Sequence, residues 1–268
     1  MPITRNSNPL LYHTAVWSHR VKRWLSWVIG SHRYASTRTN EPLPHKVTDH
    51  KSILIRVLKG VDPTFQYNKV NNLKLACAKV NGIILKPGQK FSFWKLVGEP
   101  TEKKGYLPGL VLSGGEAVCG IGGGLCQMAN ILHWMALHSP LDVIERHHHS
   151  FDMFPDSGRV IPFGTGASLF YNYIDFGLQN KTKNTFQILM WVDDKYLHGE
   201  IRSQKPVPVS YHISERDHAF VKDITSGKHF RKNAIWRKTV SKKTGKTVSE
   251  NELFRNFSET KYTPADVL

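Results

Sequence analysis

Cys126 is the residue of this sequence best placed to do chemistry. It follows Gly122-Gly123-Gly124, and from Leu125 the apolar residues Met128, Leu132, Met135 and Ala136 recur at helical spacing until Pro140 stops the run. A helix beginning at or just after the glycines puts Cys126 in its first turn, where unpaired backbone N–H groups and the positive end of the dipole face the thiol. Those groups favour thiolate, lower the pKa and can hold a developing oxyanion. Glycines ahead of the helix let a substrate backbone come close. Gly122, Gly123, Gly124 and Gln127 are therefore expected in substrate binding.

A nucleophilic cysteine needs a base and an orienting group. Arg146-His147-His148-His149-Ser150 follows a strand expected at 141–145, and Asp175 lies on a further expected strand. A helix that starts with a cysteine, followed by strands bearing histidine and aspartate, is the arrangement of papain-like and transglutaminase-like acyl-transfer sites. The expected roles are Cys126 as nucleophile, His149 as base and Asp175 as orienter, with Arg146 anchoring substrate. The competing reading makes Cys126 structural and the glycines a tight turn. A phosphate cradle lacks the Lys-Ser/Thr of a P-loop. Zinc on Cys119, Cys126 and His147–His149 lacks the short Cys–Cys spacing of structural sites. No metal and no cofactor is expected.

The elements that must carry these side chains follow from periodicity. Val16, Trp17, Val21, Trp24, Leu25 and Val28 have helical spacing, with Arg20, Lys22 and Arg23 on the polar face. Such a helix either lies on an anionic membrane surface or packs on the main domain; packing is the preferred reading. Residues 38–46, with two prolines, read as a linker. Val70, Leu73, Cys77, Val80 and Ile84 mark a second helix with Asn81-Gly82 as its stop, and Cys77 on that stripe is expected to be buried. Phe91 and Phe93 alternate as in a strand. Hairpins are expected over 185–202, turning at Asp193-Asp194-Lys195, and over 234–248, turning at Lys243-Thr244-Gly245. The expected fold is α+β: a single mixed domain with a Cys-bearing helix after a Gly-rich loop, followed by an antiparallel sheet. Its parts are a basic N-terminal extension (1–60), a core (61–210) and a basic C-terminal hairpin extension (211–268).

Composition narrows the class. A chain of 268 residues, 40% hydrophobic, is enough for one large domain. Its 20 Gly and 14 Pro are not periodic, which excludes collagen-like and low-complexity readings. Three cysteines, an odd number, argue against a secreted disulfide framework and for a reducing compartment. The apolar stretch Trp24–Ile29 is too short for a membrane span or a signal peptide, so the expectation is a cytoplasmic chain, at most peripheral at the inner membrane surface. The net charge of +16 is uneven: +8 over residues 1–60, +2 over 61–204 and +6 over 205–268. Basic ends on a near-neutral centre suggest an anionic surface or precursor. Nucleic acid is not expected, because no recognition motif accompanies the charge.

The run VNGIILKPGQKFSF (Val80 to Phe93), Gly98, Gly105-Tyr106, GGGLCQMANILHW, Arg146 with His149, and YIDFGLQN (Tyr173 to Asn180) resembles the VanW family. The likeness extends from about Arg33-Tyr34-Ala35 to the C-terminal hairpin, and is nearest to the compact members found in glycopeptide-resistance clusters. It implies a context, vancomycin resistance or cell-envelope metabolism in bacteria, without implying a reaction. Where relatives usually carry Asp-Ala-Thr, this chain has Gly166-Ala167-Ser168, which leaves Asp175 as the orienting carboxylate. The resulting expectation is a cysteine-dependent acyl transferase or amidase acting on a peptidoglycan precursor or related peptide. The alternative is a non-catalytic module that binds an anionic precursor or a partner protein.

Overall fold

The apolar run behind the glycines forms the helix around which the chain is built. The computed structural model describes residues 9–56, 62–113, 116–149, 151–153, 155 and 160–264. In chain order the elements are α1 (Pro9–Ile29), β1 (His45–Ile53), α2 (Thr64–Val80), β2 (Ile83–Leu85), β3 (Lys90–Ser92), α3 (Phe93–Val97), β4 (Pro108–Ser113), β5 (Glu116–Ile121), α4 (Cys126–Leu137), β6 (Asp142–Glu145), β7 (Phe151–Asp152), β8 (Gly177–Gln179), β9 (Phe186–Val192), β10 (Tyr196–Ser203), β11 (Val209–Lys222), β12 (His229–Ser241) and β13 (Thr247–Thr260). They make a single α+β domain.

The first expected hairpin is β9–β10, the centre of an antiparallel sheet ordered β1-β10-β9-β2. Helix α4 lies against β1 and β10. A Cβ on Gly199 of β10 would stand 2.6 Å from Met135 Cε and 2.7 Å from Ile131 Cγ2, so close helix–sheet approach requires glycine there. Met128, Ala129, Ile131, Leu132, His133, Met135 and Ala136 are all buried. A helix covered on nearly every side needs little polar surface.

Local signals fail at two places nearby. Ile84 fits the stripe of α2, but the helix ends at Val80 and Ile84 enters β2. The break is at Gly82, whose φ of +78° and 2.4 Å Cβ approach to the Thr39 carbonyl oxygen only glycine allows. The strand expected at Phe91 and Phe93 stops at Ser92, whose hydroxyl accepts from the Lys95 N–H and starts α3. β3 pairs with β8, and β8 with β6, in a small antiparallel sheet.

The N-terminal part is bound to the core. Strand β1 pairs with β10 from His45↔Ser203 to Ile53↔Tyr196. Residues 38–46, read above as a linker, are fixed instead. The Thr39 N–H donates to the Gly82 carbonyl (3.0 Å), and the buried Gln187 amide donates to the carbonyls of Thr39 and Glu41 (both 3.1 Å). Helix α1 starts earlier than its apolar period suggested and packs by one face: Trp27 is buried, and Arg23 forms an ion pair with Glu145. The second expected hairpin is β12–β13, in a sheet ordered β11-β12-β13-β7. That sheet holds the 160–176 segment, because the Asn233 and Asn256 amides both donate to the Phe163 carbonyl (2.9 and 3.3 Å).

Candidate functional site

Cys126 opens α4, where the glycines and the apolar stripe place it. Its thiol pKa is nevertheless raised. Burial is the larger influence, and the backbone groups of Leu169 and of Cys126 itself pull weakly the other way. The donors of the helix start are used within the turn: the Gln127 N–H bonds to the Gly124 carbonyl (3.1 Å) and the Met128 N–H to that of Leu125 (3.0 Å). Desolvation of a thiolate thus opposes the lowering expected from the dipole.

The glycines do not present an open backbone to substrate. A Cβ on Gly123 would lie 2.1 Å from the Gly109 carbonyl carbon of β4. One on Gly124 would lie 2.1 Å from Lys69 Cγ, and one on Gly122 2.5 Å from Pro100 Cβ. The chain's own atoms occupy the approach. Asn72 of α2, fully buried, fixes this packing by donating to the carbonyls of Gly123 (3.0 Å) and Leu107 (2.9 Å) and accepting from the Leu107 N–H (2.8 Å). Lys69, missed in the sequence, lies over Gly124 with its pKa lowered to about 8 by burial and by Arg56, and its Nζ donates to Gln66 (2.8 Å).

His149 makes no hydrogen bond to Cys126. Its Nδ1 lies 2.9 Å from Ser168 Oγ, and burial, then His148 and Arg146, lower its pKa. Residues 166–169 run along the start of α4. Ala167 donates to Asn130 Oδ1 (2.7 Å), Ser168 meets the His149 ring, and Leu169 reaches the Cys126 sulfur.

Asp175 does not orient His149. The chain at Asp175 runs beside the start of α3, so its carboxylate accepts from Ser92 Oγ (2.5 Å), Trp94 N–H (3.0 Å) and Phe176 N–H (2.8 Å), with Arg23 at 3.8 Å. Burial raises its pKa to about 6, against Ser92, Trp94 and Arg23. Arg146 and Gln127 are also engaged by the protein. Arg146 donates to the carbonyls of Gly166 (3.0 Å) and Gly164, its guanidinium lies 4.4 Å over the Phe254 ring, and burial lowers its pKa to about 10. Gln127 donates to Ser52 Oγ (2.9 Å) and the Ile53 carbonyl (2.8 Å). Among the described residues no three His, Cys, Asp or Glu side chains converge as a metal site.

Unused polar groups occur elsewhere. A groove of ≈ 570 Å³ runs between α1 and the 170–173 loop, lined by Tyr12, Trp17, Arg20, Phe170, Tyr171 and Tyr173. The Arg20 guanidinium lies 5.6 Å from the Tyr171 ring centroid, and the Tyr12 and Tyr173 hydroxyls are 3.4 Å apart. The buried Nε of Arg20 has no hydrogen-bond partner among the described residues. Asn172 is held at φ +61°, a conformation asparagine tolerates better than most residues. Its amide donates to the Arg20 carbonyl (3.3 Å), while its buried Oδ1 has no partner among the described residues. A fixed cation with a spare donor, beside hydroxyls and ring faces, suits an anion that carries an apolar or cyclic part. The sequence offered only the Tyr171-Asn172-Tyr173 run and Arg20 on a polar helix face. Nothing local joins residues about 150 positions apart.

The family model described as VanW like protein matches residues 68–202. Vancomycin B-type resistance protein VanW of Enterococcus faecalis (strain ATCC 700802 / V583) is 33% identical over 223 residues, covering 83% of this chain and 80% of that protein. Uncharacterized protein YoaR of Bacillus subtilis (strain 168) is 28% identical over 114 residues, covering 42% of this chain and 36% of that protein. No solved structure matches the chain.

Proposed function

The chain belongs to the VanW family, and from that premise we propose that it serves vancomycin resistance or cell-envelope metabolism as a non-catalytic module that binds an anionic peptidoglycan precursor. The relative in Enterococcus faecalis is named for vancomycin resistance, which supports the context. One contrast supports binding over catalysis. Around Cys126 the expected substrate-binding groups are consumed by the protein's own packing, whereas at the groove the buried Arg20 Nε, and next to it Asn172 Oδ1, have no partner among the described residues. A buried unpaired polar atom is costly unless something completes it, and an anionic precursor would do so for Arg20.

Calorimetric titration with a soluble, nucleotide-linked peptidoglycan precursor tests this. Arg20→Gln is expected to weaken binding at least about tenfold, the loss of one charge-assisted bond, while Cys126→Ala leaves it unchanged. No binding, or unaltered binding by Arg20→Gln, contradicts the reading. One observation favours a second reading, a cysteine-dependent acyl transferase or amidase: the backbone groups of Leu169 and Cys126 both face the sulfur, as an oxyanion site would need. Precursor turnover that is lost in Cys126→Ala would establish it.

A further inference from the structure

Helix α1 packs on the domain by only one face. On another face Leu10, Trp17, Val21, Trp24 and Val28 fall on one line, spaced seven, four, three and four apart. Leu10 is 74% exposed, Trp17 68%, Trp24 57% and Val28 52%, and Leu25 and Ile29 widen the stripe. The two tryptophans alone leave on the order of 300 Å² open. With the aliphatic residues the patch exceeds the roughly 300–600 Å² that is the largest on a typical monomer. At 100° per residue Lys22 lies on one flank of the stripe and Arg20 on the other.

We infer that α1 lies flat in the headgroup region of an anionic bilayer, with this stripe inserted and its inner face carrying the domain. Charge selects the occupant. Helix α1 carries Arg20, Lys22 and Arg23 and no Asp or Glu, and Arg23 is turned to Glu145, so the surface that covers the stripe meets Arg20 and Lys22 on its flanks. Anionic headgroups complement that charge, at about 1 kcal/mol per basic residue near the surface. A second copy of this chain would bring like charges together. Tryptophans favour the boundary between headgroups and acyl chains. Among the described residues no helix is long and apolar enough to cross a membrane, so the helix rests on the surface, as amphipathic anchors do.

Vesicle co-sedimentation of the full chain tests the inference independently of precursor binding. Vesicles of phosphatidylcholine containing about 30 mol% phosphatidylglycerol should pellet the protein, pure phosphatidylcholine should pellet much less, and raising salt from about 0.1 M to about 0.5 M should reduce binding. Trp24→Glu and Val28→Glu lie outside the groove and are expected to reduce binding at least about tenfold, because a charge replaces an inserted side chain. Both should retain thermal melting and precursor binding. Ile224→Glu, 97% exposed in the turn between β11 and β12, makes a similar charge change and should bind like the wild type. Equal binding to neutral vesicles, no binding, or unaffected α1 variants overturns the inference. A dimer in lipid-free solution that Trp24→Glu dissociates also overturns it and assigns the stripe to a second copy.

Discussion

Replacing Asp175 separates a structural carboxylate from a catalytic one. Asp175→Ala leaves the Trp94 and Phe176 N–H groups and the Ser92 hydroxyl without their acceptor. At about 1–3 kcal/mol for each buried group left unsatisfied, and with partial relaxation, the expected loss is about 3–5 kcal/mol. Asp175→Asn keeps an oxygen for the two N–H groups and should cost about 1–2 kcal/mol near pH 4. The pH dependence is the sharper signature. A carboxyl whose pKa rises from 3.8 to about 6 on folding binds its proton more tightly in the native state. Its contribution to stability is therefore fully present below about pH 4 and is lost as pH rises through 6, by about 3 kcal/mol in all. The Asn variant lacks this loss, so its deficit should shrink or reverse at about pH 7.5. Urea denaturation of wild type and variant across this range measures the difference directly. A deficit that does not change with pH would mean that Asp175 stays ionised against Arg23, and would refute the reasoning.

Three further outcomes follow from the same structure. Asn72→Ala removes three hydrogen bonds that fix Leu107 and Gly123 and should cost about 3 kcal/mol in denaturant unfolding. Gly199→Ala places a methyl against Met135 and Ile131, and overpacking of this kind should cost about 1–3 kcal/mol, read as a lower Tm. Burial raises the Glu145 pKa, but His147 and Arg23 outweigh it and bring it down to about 2. Its contribution holds above about pH 4.5 and is lost as pH falls toward 2. Glu145→Gln should therefore loosen α1 at neutral pH, with faster amide exchange over Pro9–Ile29, and differ little from wild type near pH 2.

What the sequence reveals here is local. The start of α4 at Cys126 is legible because three glycines and an apolar stripe meet at one point, and the β9–β10 and β12–β13 hairpins because their turns carry the right residues. Ile84 misleads because an apolar residue fits either a helix stripe or a strand. The site is harder to read, since each decisive contact is long-range. Asp175 caps α3 from 81 positions away at Trp94, Ser168 takes the His149 ring, and Gly109 fills the space over Gly123. A helix start can be read from spacing, whereas desolvation of its thiol depends on the tertiary packing around it. The groove shares that difficulty, because α1 meets Tyr171 and Tyr173 only once the chain is folded.

Thiol alkylation with mass-spectrometric mapping tests the central proposal, that Cys126 serves packing and the domain binds without using it as a nucleophile. Cys119 is exposed, Cys77 is buried with its thiol pushed up to about 12, and the Cys126 thiol is raised. At about pH 6 iodoacetamide should therefore label Cys119 first and Cys126 slowly, and His149→Ala should leave the Cys126 rate unchanged. If Cys126 instead labels first at this pH and slows in His149→Ala, the thiol is activated by that histidine and the account is contradicted.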